Sequence, residues 1–205
     1  MDIKKILQSD KKAPKGLLLF EWVIIGYALL TLVFALIGWD AYAHPESLVW
    51  TRVKLVAATL ALWGIYRLAP CRLTIFLRVV AQLLLLGEWY PDTYELNQIL
   101  PNLDHIVAQW EQDIFHTQPG QTFSETLPWW WFSEPMHIGY GSYYFLLGAI
   151  PLLYFLHHYD EFLRTSFIVI AAFFAFYLFF DLVPVAGPQF YFEAVGLDKI
   201  REGIF

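Results

Sequence analysis

The sequence contains little charge and only one cysteine. Charged residues make up 16% of the 205 residues, whereas about 25% is usual in soluble domains. Cys71 has no second cysteine to pair with, so a disulfide within the chain is excluded. A nucleotide-binding glycine loop and the Cys/His spacing of a zinc site are also missing. We therefore predict no metal and no other cofactor, and the net charge of −6 does not indicate a nucleic-acid partner.

Apolar residues dominate the composition at 58%, and aromatic residues account for 19%. Several apolar runs approach the roughly 20 residues that a helix needs to cross a bilayer. Many of the aromatic residues lie at the edges of these runs, as they do in the belts at membrane surfaces. The sequence predicts an all-α fold, a polytopic membrane helical bundle of about five transmembrane helices.

The apolar runs divide the chain into four segments. Residues 1–16 form a basic leader, and 17–87 contain three predicted transmembrane helices. Residues 88–134 form a long acidic and aromatic loop, and 135–205 contain two more transmembrane helices. The first apolar run is longer than the core of a signal peptide, so an uncleaved anchor is predicted. Counting Lys and Arg in the short connections places the amino terminus in the cytoplasm and the long loop on the outer side.

Two charged residues fall inside predicted transmembrane helices. Glu21 lies one turn into the first apolar run, and Arg78 lies within the third. Charges at that depth are costly unless they reach the membrane surface or pair inside the bundle. We favour snorkelling for Arg78, and snorkelling or helix capping near the inner face for Glu21, with a functional intramembrane carboxylate as the alternative.

The long loop contains one amphipathic segment. Leu103, Val107, Trp110 and Ile114 recur at helical spacing, and polar residues occupy the other side. This pattern predicts an interfacial amphipathic helix on the membrane surface or over the mouth of the bundle. Asn102 or Asp104 could cap its start.

The fourth predicted transmembrane helix presents His137, Tyr140 and Tyr144 on one face of its outer turns. For the two tyrosines, an interface belt and helix packing are the simpler explanation. For His137, contact with a ligand and a purely structural role stay equally open.

The fifth predicted helix leads into a rigid turn. Pro184 lacks a backbone N–H, so the helix should end near Val183. Gly187 and Pro188 then form a turn, and Gln189 follows them. The simplest interpretation is a helix end beside an aromatic belt.

The same stretch, Pro-x-x-Gly-Pro after a tyrosine-rich helix, resembles a motif of the type-2 phosphatidic acid phosphatase superfamily. The inositol phosphorylceramide synthase branch is the most similar. Earlier segments resemble the surface region of that branch: Leu103-Asp104, Ile114-Phe115, Gln118-Pro119 and the stretch 133–143. Gln189 stands where that branch usually has Arg.

The resemblance implies a lipid phosphatase or phosphotransferase that acts on a phosphate ester of a membrane lipid. Its mechanism would be metal-free and would proceed through a phosphohistidine. The catalytic histidine motifs of the family would follow Gln189, but this chain carries neither, so the resemblance covers an amino-terminal part without catalytic residues. The implied substrate-binding candidates are Gly187, Pro188, Gln189 and His137. The alternative is a non-enzymatic helical membrane protein that serves in binding or assembly.

Overall fold

The computed structural model describes residues 14–127 and 129–187, and every regular element in these ranges is helical. A single 3₁₀ turn in these ranges spans Trp39–Ala41. Five helices are long and apolar enough to cross a membrane. This confirms the predicted number of long apolar helices, and their insertion in a membrane stays a prediction. The α-helices in chain order are α1 (Leu19–Ile37), α2 (Pro45–Leu68), α3 (Arg72–Asn97), α4 (Asp104–Phe115), α5 (Pro119–Thr126), α6 (Trp130–His157) and α7 (Tyr159–Leu182).

Helix α3 is longer than predicted. It passes the expected end at Gly87 and continues to Asn97, with Pro91 inside it. Trp89, Asp92 and Leu96 are buried along this extension, so the inward-facing stripe of the helix continues past the last apolar run. The acidic residues of this part therefore lie on a helix, and the loop begins later than the sequence suggested.

The other helix limits differ less from expectation. Helix α7 ends at Leu182, next to the predicted stop near Val183, which is consistent with the effect of Pro184. Helix α4 confirms the predicted helix in the long loop, although its place at a membrane surface stays a prediction. Helix α6 begins at Trp130, before the predicted start of this segment at residue 135, and only His158 separates its end from the start of α7.

The chain divides into two compact units. The bundle unit contains Met1–Ile99 and Leu147–Leu182, and the turn unit contains Leu100–Leu146 and Val183–Phe205. In the bundle unit, α1 packs against α2 and α7, and α3 packs against the same two helices. Four helices thus surround one core.

Aromatic side chains fill the centre of the bundle unit. The ring of Tyr27 lies 5.2 Å from that of Trp89 and 5.0 Å from that of Phe174, both at edge-to-face angles. The hydroxyl of Tyr177 donates to the carbonyl oxygen of Leu86 at 3.0 Å. Such pairs contribute about 0.5–1.5 kcal/mol each beyond the burial of their area, so these contacts hold α1, α3 and α7 together.

One end of the bundle unit carries several basic residues, and we call it the basic end. Arg67, in the last turn of α2, donates to the carbonyl oxygen of Lys15 at 3.4 Å. Arg72 lies 4.1 Å from the ring centroid of Tyr159, which places the start of α3 beside the start of α7. Lys15, the connection between α2 and α3, and the start of α7 therefore share this end.

Candidate functional site

Asp104 binds the backbone of the turn that follows α7. Its Oδ1 accepts the Gly187 N–H at 2.9 Å, and its Oδ2 accepts the Ala186 N–H at 3.1 Å. Both partners belong to the turn unit and lie more than 80 residues away in sequence. A carboxylate that accepts two consecutive backbone N–H groups fixes both peptide planes.

Two further contacts hold the start of α4 and this turn together. The Asn102 side chain accepts the Asp104 N–H at 2.9 Å and donates its amide to the Asp104 carboxylate at 2.7 Å. The Leu103 N–H donates to the Pro184 carbonyl oxygen at 2.9 Å. We call Asp104 with its partners Ala186 and Gly187 the carboxylate clamp. Of the two residues predicted as caps, Asn102 bonds to the start of the helix, whereas the Asp104 side chain serves the turn.

The clamp favours the charged form of Asp104. Burial alone would raise the pKa of this carboxyl, because it removes water from the charge. The N–H groups of Gly187 and Ala186 and the Asn102 amide act in the opposite direction and prevail, so the pKa lies below its usual value. The turn is therefore held by a carboxylate that stays ionised well into the acidic range.

Gly187 has a backbone conformation that suits glycine. Its φ is +95°, where a residue with a side chain is strained. A Cβ at this position would meet nothing within 4 Å, so the requirement comes from the backbone and not from crowding. Of the turn predicted at Gly187 and Pro188, the structure thus describes only the positive φ of Gly187. Pro188 and Gln189, the other two candidates in this stretch, lie outside the described residues.

His137 is exposed on α6, and its Nδ1 lies 2.8 Å from the carbonyl oxygen of Ser133, one turn earlier. Among the described residues, no hydrogen bond or ion pair joins it to the carboxylate clamp. The structure therefore does not bring these two candidates together by a direct contact. The hydrogen bond to Ser133, which lies on the same helix, is enough to account for the position of the His137 ring.

The bundle unit contains an ion pair that the sequence did not predict. The two terminal nitrogens of Arg52 donate to the two carboxylate oxygens of Asp92 at 2.8 and 3.3 Å, and both residues are at most 5% exposed. The same guanidinium donates to the Thr31 hydroxyl at 3.0 Å and to the Leu48 carbonyl oxygen at 2.6 Å. This arrangement pairs the buried charge and supplies it with further acceptors.

A second pair corrects the expectation for Arg78. Arg78 does not snorkel. Its side chain is 1% exposed and forms a bidentate ion pair with the fully buried Glu21. The Tyr66 ring lies 4.7 Å from the guanidinium carbon and adds a cation–π contact. Glu21 caps the start of α1 as predicted, because its carboxylate accepts the Leu18 N–H at 2.8 Å. The charge of Glu21 is also balanced inside the bundle by Arg78, whereas snorkelling would have placed it at the membrane surface.

The third buried acid joins the first and last helices of the bundle unit. Asp181 is 3% exposed, and its carboxylate accepts the hydroxyl of Tyr27 at 2.8 Å. Asp181 follows Phe174 and Tyr177 at spacings of four and three residues, so the three share one helix face. This spacing was the sequence signal that could have predicted an inward-facing Asp181.

In the part of the chain that the structure describes, no group of three or more His, Cys, Asp or Glu side chains could hold a metal ion. Comparison of the chain with family models, curated proteins and solved structures finds no match.

Proposed function

We propose that this chain is the amino-terminal membrane portion of a lipid phosphatase or phosphotransferase. Its substrate would be a phosphate ester of a membrane lipid, and catalytic histidines outside this sequence would carry out the phosphohistidine chemistry. The carboxylate clamp is the observation that supports the proposal. It joins the Leu103-Asp104 segment to the turn at Gly187, and these are two of the pieces on which the family resemblance rests.

The clamp supports the proposal through preorganisation. Charge that develops on a transferring phosphoryl group is stabilised best by donors that are fixed before the reaction. Asp104 occupies the N–H groups of Ala186 and Gly187, so these groups are not free to bind phosphate. Their role in the proposal is to hold the backbone from which Pro188 and Gln189 continue. The Gln189 amide offers two N–H donors without charge.

The proposal also includes a position in the membrane. The basic end of the bundle unit would face the cytoplasm, because positive residues are retained on that side. Helix α4 would lie in the outer interface. Its apolar residues Trp110, Ile114 and Phe115 are each more than half exposed, so they are available for contact with lipid.

The test uses the chain joined to its downstream segment, if the reading frame continues past Phe205 into the two histidine motifs. We expect Gln189→Ala to lower turnover of phosphatidic acid by about 10²-fold or less. Loss of one fixed donor at an oxyanion site lowers the rate by about 10²–10³-fold, and the uncharged Gln189 amide should lie at or below the lower end of this range. Gln189→Arg should retain or raise turnover. Gln109→Ala is the matched control, because Gln109 is exposed on α4 in the same unit.

Two results would contradict the proposal. A stop in the gene directly after Phe205 would leave no catalytic histidines and would favour the non-enzymatic alternative of a binding or assembly protein. Turnover by the chain alone that His137→Ala abolishes would make His137 the nucleophile, and the assignment of catalysis to a downstream segment would be wrong.

A further inference from the structure

The bundle unit contains a groove at the end opposite the basic end. Its volume is about 810 Å³, within the range typical of small-molecule sites. It is bordered by the start of α2 and the end of α3. The lining residues that carry the following inference are Ser47, Trp50, Lys54, Glu95 and Gln98.

One basic and two acidic residues line this groove, Lys54 with Glu46 and Glu95, and they lie at different depths along the bundle. Leu48 of α2 and Leu96 of α3 belong to one buried cluster, which sets these residues at a common level. Lys54 lies six residues beyond Leu48, so a rise of 1.5 Å per residue places its backbone about 9 Å deeper along the bundle. Glu95 precedes Leu96 directly and stays near the level of the bundle end. The backbone of Lys54 is therefore deeper along the bundle than those of Glu95 and of Glu46, which precedes Leu48 by two residues.

This order of charges matches a zwitterionic phospholipid. In such a lipid, the phosphate lies next to the glycerol and the ammonium group lies farther out toward water. We propose that the groove binds the head group of a zwitterionic phospholipid, with the phosphate on Lys54 and the ammonium group on Glu95. Trp50 is 62% exposed and lines the same groove, and its ring can contact the ammonium group through a cation–π interaction.

Other ligands fit the charges less well. An anionic phospholipid without an ammonium group would pair with Lys54 and would leave Glu95 beside added negative charge. A free cation would pair with Glu46 or Glu95 but would be repelled by Lys54. Among the described residues, neither Lys54 nor Glu95 forms an ion pair, so both charges are available to a ligand.

The inference does not rest on the proposed phosphotransfer, since it uses none of the residues assigned to it. Binding is measured with the full chain in detergent micelles, by titration with phosphatidylethanolamine and phosphatidylglycerol of identical acyl chains. We expect phosphatidylethanolamine to bind about fivefold more tightly, as one additional solvent-accessible ion pair allows.

The variants separate the two charges. Lys54→Gln should weaken binding of both lipids by about fivefold, whereas Glu95→Gln should weaken only phosphatidylethanolamine and remove the preference. Lys15→Gln and Glu88→Gln are the matched controls, because both residues are exposed and lie outside the groove. Lys54 and Glu95 are exposed, so both variants should unfold at the same detergent concentration as the wild-type chain.

Three outcomes would overturn the inference: equal binding of the two lipids by the wild-type chain, a preference that survives Glu95→Gln, or an equal effect of the control substitutions. Soluble glycerophosphoethanolamine provides the last test. If it competes as well as the lipid at the same concentration, the ligand is a water-soluble phosphate ester and not a membrane phospholipid.

Discussion

Asp92→Asn is expected to destabilise the bundle unit by about 3–5 kcal/mol, the usual cost of removing one partner from a buried ion pair. The structure shows why the cost should be large. Arg52 is 2% exposed and keeps its charge, because a guanidinium does not lose its proton in a protein. Asparagine can still accept one hydrogen bond, but the negative charge opposite the guanidinium is lost. Thr31 and the Leu48 carbonyl remain as neutral acceptors only.

A double-mutant cycle tests this reasoning. Replacement of the whole pair by apolar side chains of similar size is often neutral, so Arg52→Met/Asp92→Leu should recover most of the stability that either single substitution loses. Unfolding is followed by circular dichroism as sodium dodecyl sulfate is added to the chain in a mild detergent. Glu88→Gln and Arg164→Gln are the controls, and these exposed positions should change the free energy of unfolding by less than about 0.5 kcal/mol.

Two results would refute it. Single substitutions that cost no more than the controls would show that the pair is not buried as described. Losses that simply add in the double variant would show that Arg52 and Asp92 do not interact, because independent sites are additive.

Three further predictions concern the turn and the topology. Gly187→Ala should destabilise the turn unit by about 1–2 kcal/mol because of the positive φ, whereas Gly141→Ala, inside α6, should not destabilise it; equal unfolding curves would contradict the strain. The pKa of Asp104 is lowered by folding, so the clamp contributes its full stability above the unfolded pKa of about 3.9 and loses it as the pH falls through the lower folded value. Protection of the Gly187 amide against hydrogen exchange should therefore be constant from about pH 7 to pH 4. In Asp104→Asn, whose amide oxygen is a weaker acceptor, this protection should be lower at every pH; a loss in the wild-type chain centred above about pH 4 would oppose this sign. In a variant that lacks Cys71, a cysteine at position 122 should react with an impermeant thiol reagent from outside the cell, and one at position 11 only after permeabilisation. The reverse pattern would invert the proposed topology.

The long apolar runs made the five long helices predictable, and Pro184 made the end of α7 predictable to within about one residue. The end of α3 was predicted wrongly, because the polar residues and Pro91 that follow Gly87 interrupt the hydropathy signal. The buried stripe of this helix nevertheless continues through Leu86, Trp89, Asp92 and Leu96 at spacings of three and four. A helical period that persists past a fall in hydropathy was the signal that could have extended the prediction.

The partners of the buried charges could not be predicted. Arg52 and Asp92 are 40 residues apart, and Glu21 and Arg78 are 57 apart. Each pairing depends on which helices are neighbours and on how each helix is rotated, and one sequence contains neither quantity. The carboxylate clamp is similar: the turn at Gly187 was visible in the sequence, but the acid that holds it comes from a helix 83 residues away.

The hydrogen bond between Tyr27 and Asp181 has a consequence for biosynthesis, because 154 residues separate its partners. At a translation rate of about 5–20 residues per second, Asp181 is made about 8–30 s after Tyr27. By then all four residues of the two ion pairs within α1, α2 and α3 have been made. Until α7 has been made, the side of α1 and α3 that bears Tyr27 and Trp89 lacks Phe174, which packs against both rings in the folded chain.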